Sequence, residues 1–358
     1  MDAFDALADR LLALTRAPPP EGALLAGLAR IGPDGGERAW IAGRDGPGGP
    51  AVDDPGRRIR VASVTKMAVA RAVLSVMGAD APVPPDLVGG RTGLRLRHLL
   101  SHTSGLTDAA GYLVAPDGDV RTTTAAPAAW SDHAPGTFFR YSNCGYVVAG
   151  AMAERATGRP LGAIVRDAVL RPAGIGGGLN WFGVPERGDR LAAWQWTGGR
   201  HERQVDGPDG DWDADVIWRD GEGLWLRDWT AGRGAWFSPQ GGLRASVAEL
   251  ARLARFCGRD GVRPEWVWDG ANGMDGGGLF RAHGLGATVY DGHPEIPGRL
   301  WGHAGHALGV SCGAWWNPDT RTGWAYALNG WPDLTEGRDD ELFFPPAELA
   351  LMRAFAAA

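Results

Sequence analysis

Val61-Ala62-Ser63-Val64-Thr65-Lys66-Met67, running on into the apolar helical stretch Ala68 to Met77, holds the one lysine of the chain. The other 35 of its 36 basic side chains are arginines. Arginine keeps its charge at any working pH, whereas a desolvated lysine sheds its proton and acts as a base. A chain that supplies every other cation as arginine, yet keeps lysine here, points to chemistry at position 66. If the helix starts near Ser63, then Ser63 and Lys66 are i,i+3 neighbours on one face. The helix N-terminus favours negative charge developing on the serine, and a neutral lysine one turn away accepts the hydroxyl proton. Taken alone, Ser-x-x-Lys equally describes an N-cap serine beside a solvated lysine; the lysine count favours the first.

Two further stretches carry polar groups suited to the same site. In Tyr141-Ser142-Asn143, just ahead of a helical pattern at 145–157, an extended backbone lets Tyr141 and Asn143 face one cleft. The phenol relays or takes a proton and the amide holds a carbonyl. The alternative is a helix cap by Ser142 or Asn143 beside a core tyrosine. In Gly302-His303-Ala304-Gly305-His306, two glycines flank small side chains on a strand and predict close backbone approach by another molecule. There His303 offers an ion-pairing or hydrogen-bonding head. His303 and His306 are three apart, so on a strand they point to opposite faces. With no Cys or acid at ligand spacing nearby, that disfavours a metal pair.

Outward from these motifs, Phe4, Leu7, Leu11 and Leu14 predict a helix over 2–15, stopped by Pro18-Pro19-Pro20. Apolar runs at 24–31 and 38–43 flank a turn at Gly32-Pro33-Asp34-Gly35-Gly36, and 310–317 and 323–329 flank Asn317-Pro318-Asp319. A final helix over 345–358 presents Leu349, Met352 and Phe355. The expected architecture is α/β (α+β): an antiparallel sheet built from both chain ends, flanked by terminal helices. Helical patterns at 67–77, 145–157, 161–170 and 246–257 fill the middle, the last opened by the capping box Ser246-Val247-Ala248-Glu249. The net charge of −6 disfavours nucleic acid as a partner, and no apolar run reaches the length of a membrane span. Met1-Asp2-Ala3-Phe4-Asp5 has acids where a secretory signal is basic, so the chain as written reads as cytoplasmic, or as periplasmic or secreted if a signal was removed. Cys144, Cys257 and Cys312 are too few and too scattered for a disulfide framework and are expected to be buried.

In their order, Ser-x-x-Lys at 63, Tyr-x-Asn at 141 and His-Ala-Gly at 303, the motifs resemble those of the penicillin-recognising serine hydrolases. The nearest branch is the one with class C β-lactamases, DD-peptidases, D-aminopeptidases and family VIII esterases. That family's third motif is Lys-Thr-Gly or His-Thr-Gly, so His303-Ala304-Gly305 is similar to its histidine form with Ala replacing Thr. Arg97-His98-Leu99-Leu100-Ser101-His102-Thr103-Ser104-Gly105-Leu106 looks like the family's stretch before the helical lobe. Ser238-Pro239-Gln240-Gly241-Gly242-Leu243 looks like its Gly-Gly-Leu segment. The resemblance runs from about 55 to 330 and implies a single domain of two lobes: 1–66 with 237–358 as the α/β lobe, and an inserted, mostly helical lobe over 67–236. It implies Ser63 as the nucleophile of an acyl-enzyme, Lys66 and Tyr141 as a jointly assigned base and proton donor, and Asn143 as holder of substrate or of the Lys66 ammonium. It further implies an oxyanion hole from the backbone N–H groups of Ser63 and His306, with His303, Ala304 and Gly305 lining the substrate site, and no metal or cofactor.

Substrate is read from the departures. A histidine is charged only part of the time near neutrality, and Ala304 lacks the hydroxyl that helps bind a substrate carboxylate. Both favour an esterase or amidase on small esters or peptide-like amides, ahead of a DD-peptidase or D-aminopeptidase and then a weak β-lactamase. A catalytically silent binding protein on the same scaffold is the reading from another class. Residues 176–236 match nothing in the family. They hold seven tryptophans ahead of Trp236, together with eight acids between Asp206 and Asp228, and form either a substrate wall or a surface loop whose rings cap the core.

Overall fold

The apolar runs from both ends of the chain pair into one sheet. The computed structural model describes residues 2–112, 119–181, 187–204, 239–260, 282–332 and 344–358. In chain order the helices are α1 (Ala3–Leu14), α2 (Thr65–Val76), α3 (Leu96–Leu100), α4 (Val120–Ala125), α5 (Asn143–Thr157), α6 (Leu161–Val165), α7 (Val247–Asp260) and α8 (Pro346–Ala357). The strands are β1 (Leu25–Ile31), β2 (Glu37–Gly43), β3 (Ile59–Arg60), β4 (Trp194–Trp196), β5 (His201–Arg203), β6 (Arg244–Ala245), β7 (Thr288–His293), β8 (Ile296–Ala307), β9 (Val310–Asn317) and β10 (Thr322–Asn329). The main sheet is antiparallel, in the order β2-β1-β10-β9-β8-β7. Strands from before Lys66 thus sit in the same layer as strands from the last quarter of the chain.

Tight turns set the register. Leu308 and Gly309 between β8 and β9 both have positive φ, 58° and 73°, as a two-residue type I′ hairpin requires. Between β9 and β10, Asn317 Oδ1 accepts from the backbone N–H groups of Asp319 and Thr320 at 2.9 and 3.1 Å, a side chain standing in for a backbone turn.

Both faces of this sheet are covered, which is why its central strands lack a polar side. Alternate residues divide between two cores, as the pleat dictates. Ala325, Ala327, Val310, Cys312 and Ala314 face α7, α2 and the helical part of the chain. Trp324, Tyr326, Leu328, Trp315, Leu300 and Ala304 face α1 and α8. The capping box at the start of α7 forms in both directions: Ser246 N–H donates to Glu249 Oε2 at 2.8 Å and Glu249 N–H to Ser246 Oγ at 3.3 Å. The expected helix over 161–170 is α6 followed by a π-helical stretch, Arg166–Leu170. All three cysteines are free and buried. No helix among the described residues is long and apolar enough to cross a membrane.

Of the tryptophan-rich segment, the β4–β5 hairpin is described. Trp194 N–H donates to Asn329 Oδ1 at 2.9 Å and Trp196 N–H to Trp331 O at 3.0 Å, so this hairpin lies against the end of β10. Trp212, Trp218, Trp225, Trp229, Trp236 and all the acids of that segment from Asp206 to Asp228 lie outside the described residues, as does Ser238.

On the α1/α8 side, Phe355 is fully buried and stacks on Trp324 at a centroid distance of 4.9 Å. Phe355→Ala leaves a ring-sized void between α8 and the sheet. It is expected to cost about 3–5 kcal/mol, measured as a lowered midpoint in urea unfolding.

Candidate active site

Ser63 sits in a 3-10 turn, Ala62–Val64, that feeds directly into α2. The sequence reading starts the helix near Ser63, and this turn is the tighter lead-in to it. The tighter turn brings i and i+3 side chains nearly into eclipse, and Lys66 Nζ lies 2.9 Å from Ser63 Oγ. Ala62 ahead of the serine holds φ at +44°, a strained conformation for a residue with a Cβ. The surroundings hold it there. Thr65 Oγ1 donates to Ala62 O at 2.6 Å and accepts from Leu243 N–H at 2.9 Å, and Val61 N–H donates to Leu243 O at 2.9 Å. The Gly-Gly-Leu segment is therefore the clamp on the serine turn.

Lys66 is fully buried, whereas Ser63, Tyr141 and Asn143 remain partly exposed. A ligand can reach the serine without reaching the lysine. Among the described residues Nζ has three oxygen neighbours: Ser63 Oγ, Asn143 Oδ1 at 2.8 Å and Gln240 O at 2.8 Å. Burial pulls the ammonium down from 10.5 to about 7, opposed by the negative charge of Asp108. A neutral amine has two N–H donors and one lone pair. Asn143 Oδ1 and Gln240 O are pure acceptors and take the two donors, which leaves the lone pair for the Ser63 hydroxyl.

Asp108 was not singled out from sequence. Its carboxylate accepts from Ser142 Oγ at 3.2 Å, from Asn143 Nδ2 at 2.8 Å, and from the N–H groups of Asn143 and Cys144, both at 3.0 Å. It caps α5, where an acid is favoured by the helix dipole. By taking the Asn143 amide nitrogen, it turns Oδ1 towards Lys66. A lone aspartate in a loop has no spacing signature, so only the fold could find it. Ser142 also caps α5, accepting from Gly145 N–H at 3.2 Å, so the capping alternative for this motif and the side-chain placement of Tyr141 and Asn143 both hold.

Tyr141 is hydrogen-bonded to Ser63, and its phenol is pushed far up by burial, partly offset by that bond. Its ring lies 4.8 Å from Lys66 Nζ and stacks on His102 at 4.3 Å.

Strand β8 splits the third motif between its two faces. His303 and Gly305 point towards the serine turn, and Ala304 and His306 towards α8. A Cβ on Gly305 would lie 2.4 Å from Val61 O and 3.1 Å from Ser63 N, so the glycine is needed for close approach by the chain's own serine turn. The close approach expected there from another molecule is made instead by the chain itself. His306 Nε2 meets both oxygens of the fully buried Glu348 on α8 at 2.9 Å, and Tyr326 Oη donates to the same carboxylate at 2.9 Å. The His306 side chain is thus a strut to α8, and its backbone is what runs beside Ser63. His303 is 1% exposed and bonded through Nδ1 to Ala304 O. Burial, and then the charges of Lys66 and His283, hold it well below its usual range. Instead of offering a cation to the cleft, it joins His102 and His283 behind Tyr141.

A family model described as Beta-lactamase matches residues 21–343. Over 147 aligned residues the chain is 37% identical to the esterase EstB of Burkholderia gladioli, covering 32% of this chain and 36% of the esterase. The match thus spans about a third of that relative's length. Among solved structures, the D-amino acid amidase from Ochrobactrum anthropi SV3 complexed with L-phenylalanine superposes with a TM-score of 0.67 at 18% identity, covering 99% of this chain and 97% of the amidase. The octameric penicillin-binding protein homologue from Pyrococcus abyssi superposes with a TM-score of 0.70 at 21% identity, covering 100% and 77%. At these identities the two structures speak for the fold alone.

Because the chain has one lysine, a spectrum of protein labelled with 13C at lysine Cε holds one ε-carbon signal, expected to titrate near pH 7. Asp108→Asn removes the charge that opposes the shift and should move the midpoint lower. The native state then binds fewer protons at this group than the unfolded chain between about pH 7 and 10.5. This group therefore adds stability as pH rises through that window, measurable in urea unfolding across pH.

Proposed function

The chain belongs to the Beta-lactamase family, and from that premise we propose that it is a serine hydrolase working through an acyl-enzyme at Ser63 on small neutral esters or amides. One observation carries this: a fully buried amine, its pKa near 7, held 2.9 Å from the hydroxyl of a partly exposed serine. A catalytically silent scaffold has no use for a desolvated base at that distance.

In the proposed cycle Lys66 takes the Ser63 proton as Oγ bonds to the carbonyl carbon of the substrate. The lowered amine and the raised phenol support Lys66 over Tyr141 as the base: near neutrality the amine has a free lone pair, and the phenol keeps its proton. In this reading the backbone N–H groups of Ser63 and His306 receive the oxyanion, each donor lowering the barrier by a few kcal/mol. The bond to the leaving group breaks as that group takes a proton from Lys66, passed through the Tyr141 hydroxyl. Water then attacks the acyl carbon, giving its proton to the same pair, and Ser63 Oγ leaves reprotonated.

The substrate class is read from His303. A buried imidazole held in its neutral form provides no cation for a substrate carboxylate, while the Ala304 methyl is turned into the α8 core and plays no part in that choice. This supports neutral esters and amides over carboxylate-bearing substrates such as penicillins. The resemblance to an esterase and to a D-amino acid amidase makes acyl esters and amino acid amides the first compounds to test.

The test is intact mass and turnover with a fluorophosphonate, short p-nitrophenyl esters, D- and L-amino acid amides and a penicillin. The expected outcome is a stoichiometric fluorophosphonate adduct on Ser63, measurable ester or amide turnover, and slow or no penicillin turnover. No adduct together with no turnover would sink the hydrolase assignment, and fast penicillin turnover would sink the substrate class. Lys66→Arg keeps the charge but loses the removable proton. It should slow acylation by about 10³-fold or more; a loss of only a few-fold would remove Lys66 from the role of base. Below pH 7 acylation should fall about tenfold per unit, as the neutral amine is titrated away.

A further inference from the structure

His102 on the loop after α3, His283 ahead of β7 and His303 on β8 are all buried to 1% exposure or less. One ring nitrogen from each lies within 4.8 Å of those of the other two. In all three rings Nδ1 is engaged. It accepts from Ser142 N–H at 3.0 Å in His102, meets Thr288 Oγ1 at 3.4 Å in His283, and meets Ala304 O at 2.5 Å in His303. In all three, Nε2 is buried and has no hydrogen-bond partner among the described residues. Three orphaned polar atoms on rings packed this closely mark a site built for an occupant.

Hydrogen-bond roles decide which occupant. Ser142 N–H can only donate, so Nδ1 of His102 is an acceptor and the proton of the neutral ring sits on Nε2. A carbonyl can only accept, so Nδ1 of His303 carries its proton and Nε2 presents a lone pair. A metal ion needs a lone pair from every ligand. His102 presents an N–H instead, and freeing Nε2 for a metal would cost the bond to Ser142. The set fits a small neutral molecule that both accepts and donates. Two hydrogen bonds of about 2.9 Å meeting at a tetrahedral angle bridge nitrogens about 4.7 Å apart, a span that rings with nitrogens within 4.8 Å of one another allow.

We propose that His102, His283 and His303 enclose one structural water, which accepts from His102 Nε2 and donates to Nε2 of His303 and of His283, and which ties the Tyr141 loop to strand β8. Three bonds are the usual complement of a buried water. The second water hydrogen requires His283 to carry its proton on Nδ1, directed at Thr288 Oγ1. Phe139 lies 5.8 Å from His102 and 5.6 Å from His283 between ring centroids, and Tyr141 lies 6.1 Å from His303. These rings wall the site from bulk solvent. All three imidazoles are held below their usual range, burial being the largest cause in each. Neutral rings are what the bridging scheme requires, and they add no positive charge beside Lys66.

His102 joins the parts. It holds φ at +58°, its face carries the Tyr141 ring, one nitrogen fixes the turn that presents Tyr141 and Asn143, and the other reaches the water. On the hydrolase assignment above, His102 is a positioning residue for Tyr141.

The decisive experiment is heteronuclear NMR of the imidazoles in the full chain, with a high-resolution crystal structure after soaking in zinc chloride. The expected result is His102 protonated on Nε2, and His283 and His303 on Nδ1, unchanged from pH 6 to 8. One non-anomalous density peak should lie within about 3.2 Å of all three Nε2 atoms. An Nδ1–H tautomer at His102, a zinc anomalous peak at the centre, or an empty centre would each overturn the proposal. These readouts do not depend on turnover, so they stand or fall separately from the assigned activity. For the positioning role, His102→Asn keeps an acceptor near the Nδ1 position and tolerates positive φ. A tenfold or larger fall in kcat with KM within twofold is expected. A change confined to KM, or none in either, would remove that role.

Discussion

A single buried amine sets the conditions that the surrounding structure meets. Lys66 has no solvent contact, so the hydrogen-bond partners that water would supply must come from fixed protein groups. Two carbonyl oxygens, from Asn143 and Gln240, occupy its donors. Each belongs to a different part of the chain, one at the start of α5 and the other in the segment that clamps the serine turn. Each is itself held by something else. Asn143 cannot flip its amide because Asp108 takes the nitrogen. The segment at Gln240 is fixed because it also carries Leu243, which bonds Thr65 and Val61. Removing water from around one amine thus imposes order on three separated stretches of sequence.

Strand β8 transmits this order to the rest of the fold. Its pleat turns His303 and Gly305 towards the serine and Ala304 and His306 towards α8. On one face the missing side chain of Gly305 lets two backbones touch. On the other, His306 reaches the buried Glu348 carboxylate, which also receives Tyr326 from β10. The terminal helix is thereby joined to the backbone that runs beside Ser63. A buried charged group of this kind adds less to net stability than to register, and register is what a site assembled across a sheet edge needs.

Much of this was legible in the residues. Periodicity placed α1, α8 and the hairpins at both chain ends to within a residue or two, because the buried faces of those elements repeat at the intervals the backbone dictates. Motif spacing singled out Ser63, Lys66, Tyr141 and Asn143, which the fold brings together. Asp108, His102 and His283 escaped notice for a shared reason. Their partners are 34 or more residues away for Asp108, 40 residues away at Ser142 for His102, and 20 residues away at His303 for His283. No local pattern encodes a contact made across a folded interior. His303 was misjudged for a related reason: a histidine in a strand motif looks like a head group for a ligand until its neighbours show that it is enclosed.

The sequence by itself determined which chemistry was available, because residue type fixes pKa range, donor count and nucleophilicity. One lysine among arginines, placed three residues after a serine, could be read without coordinates. What only the tertiary structure decided was the state of those groups. Burial brings the Lys66 amine to near neutrality and keeps the Tyr141 phenol protonated, and it withdraws His303 from the cleft into a neutral trio. These are differences in solvation and in contacts between distant residues, and both come into being when the chain folds.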